Sequence, residues 1–534
     1  MAFDLWLHGA TVLDGTGAPE RRLDIGVTAD RITHLEAPGA SPENGVTAVE
    51  TVDLTGLTLA PGFIDIHTHS DVSLLLDPRG ESKALQGVTT EVVGNCGYSA
   101  FPVHPARHHL LTDHLARLGD GSAPVTWTDF DGYAEALTGA RPAINVAALA
   151  GHGALRIAAM EDPYGPATTA DVARMRHLLD DALAAGAFGL STGLTHTPSS
   201  LGDPGEVAAL VEICATHDAV YATHARASAG RELAAVDEAV DTARRTGGRL
   251  QFSHLALNDP AYWGRAADAL ARFDTAEAQG LDVAFDVYPY AASSSALVQY
   301  LPEWVQRGGS AELRRHSGDA AWRQRALGDI RAGFFGGIPW HWDRIVITAA
   351  GPYDDLPGSS IGEVARRRSR PPEEVLLDLC VELGSAAQVV LHYRTEADMT
   401  AFLAHRLSIV GSDGNALPLR ARADQPHPRA YGTNARVLGR YVRELGVLAW
   451  PDAVHKMTAA PAARLGLRDR GQIRPGFVAD LVAFDPSTVA DRATFEQPRQ
   501  APVGIALTVV GGQIVVRDGV LGTARPGKVL RHAG

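Results

Sequence analysis

Short apolar runs broken by turn residues open the chain. Residues 5–7, 10–13, 24–27, 31–35 and 51–59 read as strands, and 37–45 (APGASPENG) reads as a loop. The same pattern returns between about 480 and 516, in LVAFDP and ALTVVGGQIVV, with Gly511 and Gly512 suited to a hairpin turn. Neither terminal piece holds enough strands to bury a sheet face alone. The two are therefore expected to combine into one small β-sandwich, with residues 1–60 and 467–534 as its parts and the chain ends meeting.

Across 61–466 the period changes. Apolar runs FIDIH, TTEVVG, NVAALAG, AFGLS, AVYATH, LQFSH, DVAFDVY, RIVITAA and LSIVGSD alternate with amphipathic stretches such as DVARMRHLLDDALAAG. This is the rhythm of βα units around a parallel sheet, and it predicts an α/β fold of the (β/α)8 TIM-barrel type. Nine runs compete for eight positions. Residues of about 291–343 carry Trp304, Trp322, Trp340 and Trp342 with weak periodicity, so RIVITAA is the candidate for an insertion after a late barrel strand. Such an excursion suits a lid or pocket wall.

Several runs end in a metal-ligand type: His67 and His69 after FIDI, Cys96 after EVVGN, His224 after YAT, His254 after FS, and Asp413 after IVGS. In a (β/α)8 barrel the C-terminal strand ends converge on one face, so these distant positions share a site. The i, i+2 spacing of His67 and His69 puts both imidazoles on one side of a strand. Imidazole, thiolate and carboxylate are zinc ligands, and catalytic zinc keeps a position open for water. Metal-assisted hydrolysis of a carbonyl compound is the expected chemistry.

Composition narrows the partners. The 534 residues are 45% hydrophobic with a net charge of −14, which favours neither phosphate backbones nor anionic membranes, and no run of about 18 apolar residues occurs. Nucleic acid and membrane are set aside in favour of a small-molecule substrate. Cys96, Cys214 and Cys380 are too few and too far apart for a disulfide framework, and no targeting segment is evident, so a cytoplasmic location is expected. The cluster at 366–370 (RRRSR) reads as a charged helix end, and His108, His109 and His114 as solvated.

The stretches PGFIDIHTHSD, QGVTTEVVGNCGYS, GLSTGLTHTPSS, YATHAR, FSHL, DVYPYAASS, GSDGNAL, HPRAYGT and LGLRDRGQIRPGFVADLVAFDP resemble the N-acyl-D-amino-acid deacylase (D-aminoacylase) family of the amidohydrolase superfamily. The resemblance implies a zinc-bearing TIM barrel with a small β-sandwich built from both termini. It implies that Cys96, His224 and His254 hold a tight zinc, that His67 and His69 form a weaker second site with Cys96 open to both, and that Asp413 is the general acid/base. The implied reaction is hydrolysis of the amide bond of an N-acyl-D-amino acid or related N-acyl compound. Many superfamily members bridge two metals with a carboxylated lysine. Here no lysine lies between Lys83 and Lys456, and Cys96 is the substitute.

Two positions depart from the family pattern: Ala256 replaces a common lysine, and His196 a common tyrosine. Arg226, Tyr288 and His196 are candidates for substrate binding. Other readings are a cyclic amide or imide hydrolase of the hydantoinase or dihydroorotase kind, a serine hydrolase using the GxSxG run Gly189–Gly193, and a non-catalytic scaffold.

Overall fold

The computed structural model describes residues 2–38, 47–119, 121, 123–420 and 422–533; most of the loop expected at 37–45 lies outside them. The chain opens with β1 (Ala2–Val12), β2 (Arg21–Thr28), β3 (Arg31–Glu36), β4 (Thr47–Asp53) and β5 (Thr58–Pro61). The central strands are β6 (Phe63–Asp65), β7 (Val88–Val93), β8 (Asn145–Ala148), β9 (Ala150–Gly151), β10 (Gly189–Gly193), β11 (Val220–His224), β12 (Arg249–Phe252) and β13 (Val283–Val287). Then come β14 (Ser293–Ala296), β15 (Ile345–Ala350), β16 (Ala387–Leu391) and β17 (Ser408–Val410). The last are β18 (Leu481–Phe484), β19 (Ile505–Val510), β20 (Gln513–Arg517) and β21 (Val520–Leu521).

Both ends of the chain share one sheet, ordered β21-β20-β19-β18-β5-β1-β2-β3 with β4 beside β1. Its central junction pairs β18 antiparallel with β5, Leu481 opposite Pro61 and Phe484 opposite Thr58. The runs at 5–7 and 10–13 are one strand: the register shifts between Leu7 and Ala10, where Asp24 accepts the Gly9 N–H at 2.9 Å. The run at 51–59 is two strands, because the chain turns at Gly56, whose φ of 85° disfavours a side chain. Leu5, Leu7, Ile25, Val27, Leu481 and Leu507 pack into a core belonging to this sheet.

The central strands pair in parallel, as β6-β7-β8 and as β9-β10-β11-β12-β13-β17. Only Leu149 separates β8 from β9, and an isolated parallel bridge joins Thr68 to Gly414. All residues of β7, β10 and β13 are buried. Two-sided burial explains why these strands lack a strict alternation of apolar and polar positions.

RIVITAA, as β15, lies outside the parallel strands, in an antiparallel sheet ordered β14-β16-β15. That sheet and its helices enclose a separate core running from Ala296 to Tyr393. Among the described residues no helix is long and apolar enough to cross a membrane.

Candidate active site

The six strand-end residues come together. His67 and His69 follow β6, Cys96 lies in the turn after β7, His224 ends β11, His254 follows β12 and Asp413 follows β17. Cys96, His254 and Asp413 have φ values of 55°, 37° and 53°, a left-handed conformation that costs a residue with a Cβ about 1–3 kcal/mol. The surrounding structure holds three such residues in one cluster.

Cys96 Sγ lies 3.3 Å from both His67 Nε2 and His254 Nε2. Asp413 Oδ1 is 3.4 Å from His67 Nε2 and 2.9 Å from His69 Nε2. Two overlapping groups of donor atoms, each within 4.8 Å of one another, result: His67, Cys96, His254 and Asp413, and Cys96, His196 and His224. Cys96 belongs to both. His224 stands between His196 and His254, its ring centroid 4.3 and 4.5 Å from theirs.

Neighbouring groups fix these rings. Asp286 Oδ1 lies 3.1 Å from His67 Nδ1 and accepts the His254 backbone N–H at 2.8 Å, while its Oδ2 accepts from Gln251. Thr195 Oγ1 is 2.7 Å from His224 Nε2, leaving Nδ1 facing His196 Nε2 at 3.2 Å. Such outer partners set tautomer and orientation in metal centres.

Burial holds His196, His224 and His254 well below the usual histidine range, so each imidazole is neutral and keeps a lone pair. Burial also pulls His67 down, but the charges of Asp286 and Cys96 outweigh it and leave the group above its ordinary value. Burial pushes the Cys96 thiol up to about 11, whereas a coordinated cation would deprotonate it. For Asp413, the Arg429 guanidinium at 2.6 Å overcomes the effect of burial and keeps the carboxyl well below its usual range. Three neutral imidazoles, a thiol and a carboxylate converging in a buried space fit a zinc ion.

The GxSxG run has a different task. The Ser191 hydroxyl donates to Gly94 O and accepts the Gly97 N–H at 2.9 Å, so it pins the turn carrying Cys96. A Cβ on Gly193 would lie 2.0 Å from Cys96 O, which accounts for the glycine there. Nearby, Ser199 Oγ, His152 and Glu206 lie in triad order at 2.8 and 2.7 Å, but Ser199 and His152 are wholly buried and Arg156 engages Glu206. Neither serine is placed to attack a substrate.

The cluster floors a cavity of about 130 Å³ walled by Tyr288, Arg394 and Arg429 and, from the β14–β16 region, by Ser293, Gln299 and Phe334. Tyr288 has the Arg394 and Arg429 guanidiniums over its ring at 4.7 and 4.8 Å, and its buried hydroxyl has no partner. His196 also lines the cavity. Arg226 does not: its guanidinium is engaged by Ser200 O, Gly202 O and Glu238. Ala256 and Arg394 both line a small void. His114 is not solvated but buried, stacked on Tyr98 at 4.4 Å. Lys83 is a buried strut, donating to Asp65, Ser412 and Gly414 O.

Sequence reasoning missed Asp286, Arg394 and Arg429. For Asp286 a signal existed, a charged residue inside the apolar run VAFDV. For Arg429 there was one too, its place in the stretch HPRAYGT that carries the family resemblance; for Arg394 there was none.

A model of the Amidohydrolase family matches residues 50–201 and 356–516. An N-acyl-D-glutamate deacylase of Alcaligenes xylosoxydans xylosoxydans is 38% identical over 99% of this chain and 96% of its own length. The crystal structure of the N-acyl-D-glutamate deacylase of Bordetella bronchiseptica, complexed with zinc and a phosphonate mimic of the tetrahedral intermediate, superimposes with a TM-score of 0.83 at 36% identity, covering 99% of this chain and 100% of that one. A D-aminoacylase solved to establish the role of its binuclear metal centre gives the same score, identity and coverage.

Proposed function

Because the chain belongs to the amidohydrolase family, we propose that it hydrolyses the amide bond of N-acyl-D-amino acids at a zinc centre. The observation that carries this reading is the buried convergence of Cys96 with imidazoles on both sides and with Asp413.

The architecture that goes with it is a (β/α)8 barrel. Counting β8 and β9 as one gives eight parallel strands, and the Thr68–Gly414 bridge supports closure of the ring. The terminal parts, 1–60 and 467–534, form the sandwich, and 61–466 the hydrolase domain. We take the excursion as 293–393 rather than 291–343, because its core continues to Tyr393.

Cys96, His224 and His254 are assigned the tight zinc, and His67 and His69 the weaker one, with Cys96 available to both. When bound, zinc polarises the scissile carbonyl and lowers the pKa of a coordinated water to about 7. Asp413, held as a carboxylate by Arg429, takes a proton from the attacking water and passes it to the departing nitrogen. Arg394, standing where Ala256 leaves room, meets the substrate α-carboxylate with a bidentate contact. Tyr288 donates its free hydroxyl to the substrate. Three buried free cysteines suit a reducing cytoplasm.

The test is a panel of N-acetyl-D- and L-amino acids with hydantoins, given to the zinc-loaded protein. Release of D-amino acids alone is expected. Turnover of hydantoins without any N-acyl-D-amino acid would replace this reading by the cyclic-amide one.

A further inference from the structure

The turn that carries Asp413 is gripped by one short helix, Glu81–Ala84. Glu81 Oε2 accepts the Leu419 N–H at 2.9 Å. Ser82 donates its N–H to Leu417 O at 3.2 Å and accepts the Leu417 N–H on its hydroxyl at 3.0 Å. Lys83 comes nearest to Asp413: its Nζ donates to Ser412 Oγ at 2.6 Å and to Gly414 O at 2.9 Å, the residues on either side. A third proton goes to Asp65 Oδ2 at 2.9 Å, and Asp65 Oδ1 accepts the Ser412 N–H at 2.8 Å. Just past the helix, Gln86 donates to Ala430 O at 3.0 Å and accepts the Asn434 N–H at 3.2 Å, within the helix that begins at Arg429. Residues 81–86 thus hold both members of the Asp413–Arg429 pair.

Stability alone does not account for Lys83. It and Asp65 are buried, and a buried ion pair is often no more stable than apolar residues of the same volume. An ammonium does what an apolar side chain cannot, which is to tie two separate acceptors to one point. Asp413 has a φ of 53°, a strained conformation that persists only where the surroundings over-determine it. Lys83 fixes the residue before it and the residue after it. Its three protons point in three directions, a geometry that a planar guanidinium does not reproduce, and a lysine stands here in a chain with only three among 48 basic residues. The same turn is registered against the histidines: the Asp413 N–H donates to His67 O at 2.8 Å, and Gly414 O accepts the His69 N–H at 3.4 Å.

We propose that Lys83 is a positioning residue, which holds Asp413 in the left-handed turn that aims its carboxylate at the cluster and at Arg429. This rests on the reading of Asp413 as the acid/base of amide hydrolysis and adds the group that sets its geometry.

The experiment compares the native zinc-loaded full chain with Lys83→Met and with the charge-free pair Asp65→Asn/Lys83→Met, on the N-acetyl-D-amino acids of the panel above. It reads kcat, KM, zinc content and melting temperature. Lys83→Met strands the Asp65 charge and should melt lower; the pair removes that charge, keeps an oxygen for the Ser412 N–H and should recover most of the difference. In both, kcat should fall about 100-fold, the cost of a misplacement of about 1 Å, with KM within about twofold of native and zinc retained. Recovery of kcat together with melting temperature in the pair overturns the proposal, because Lys83 would then only brace the fold. Loss of zinc in step with kcat overturns it too, since Lys83 would then support the metal ligands. If neither variant folds, Ser412→Ala, which removes one of the two bonds to the turn and strands no charge, should lower kcat about tenfold, and a native kcat refutes the proposal. If the native protein hydrolyses no member of the panel, the deacylase reading fails, and crystal structures of the variants decide the positioning: Asp413 still at positive φ against Arg429 refutes it.

Discussion

His152 and His67 are both fully buried imidazoles, each with a carboxylate on one ring nitrogen and a side chain bearing a hydroxyl or thiol on the other. Around His152 the arrangement is closed. Ser199 also accepts the Gly193 N–H, and Glu206 holds Arg156 as well as the imidazole. Around His67 it stays open: His69 Nδ1, His196 Nδ1, the Tyr288 hydroxyl and Arg117 Nε are buried without partners. Buried polar atoms are normally satisfied, so a concentration of exceptions marks a place completed by something from outside. Residue types in the right order do not make a catalytic group; unfinished valence facing a cavity does.

Breaking each cluster should give opposite results. Cys96→Ala is expected to lose its zinc by elemental analysis and more than about 1,000-fold in kcat/KM, with little change in melting temperature. Asp413→Asn should keep its metal and lose about 100- to 10,000-fold in kcat. Glu206→Gln strands the Arg156 charge and should cost about 3–5 kcal/mol in urea unfolding, while activity per folded molecule is unchanged. Ser199→Ala should cost about 1–3 kcal/mol, again without loss of activity; a large fall in its kcat would instead make this serine a nucleophile.

The smallest effects concern pH. Burial tends to raise Glu206, but His152 and Arg156 outweigh it and hold the carboxyl at about 2. Its contribution is complete above about 4.5, the unfolded value, and fades as pH falls toward 2. Glu91, which accepts from the Ser70 hydroxyl at 2.8 Å, is raised by burial to about 7, so it favours the folded state in acid and loses that advantage as pH rises through 7. Urea midpoints followed across pH should therefore flatten at the acid end in Glu206→Gln and at the neutral end in Glu91→Gln. A native-like acid slope in Glu206→Gln would mean that His152 is not held by that carboxylate.

Much of this was legible in the sequence because strand ends carry it. His67, His69, Cys96, His224, His254 and Asp413 sit where an apolar run stops, and local pattern locates such places. What a side chain faces across the fold was not legible. Arg226 follows one of those strand ends and reads as a carboxylate ligand, yet Ser200 and Gly202 claim it; Arg394 lines the same small void as Ala256 from 138 positions away. His114 lies in a His-rich stretch that reads as solvated, and the packing of Tyr98 buries it. The excursion was visible as lost periodicity, but its far end was not, because β16 and its preceding helix regain regular patterns while packing on the same core.

The junction of β5 with β18 also sets a schedule. A ribosome delivers β1 to β5 first and reaches Leu481 some 420 residues later, roughly 20–80 s at about 5–20 residues per second. For that interval Leu5, Leu7, Ile25 and Val27 lack the Leu481 and Leu507 side chains that complete their core, and the edge of β5 is open to strands of other nascent chains. Cellular yield is thus governed by how well the first sixty residues are shielded while the rest is made.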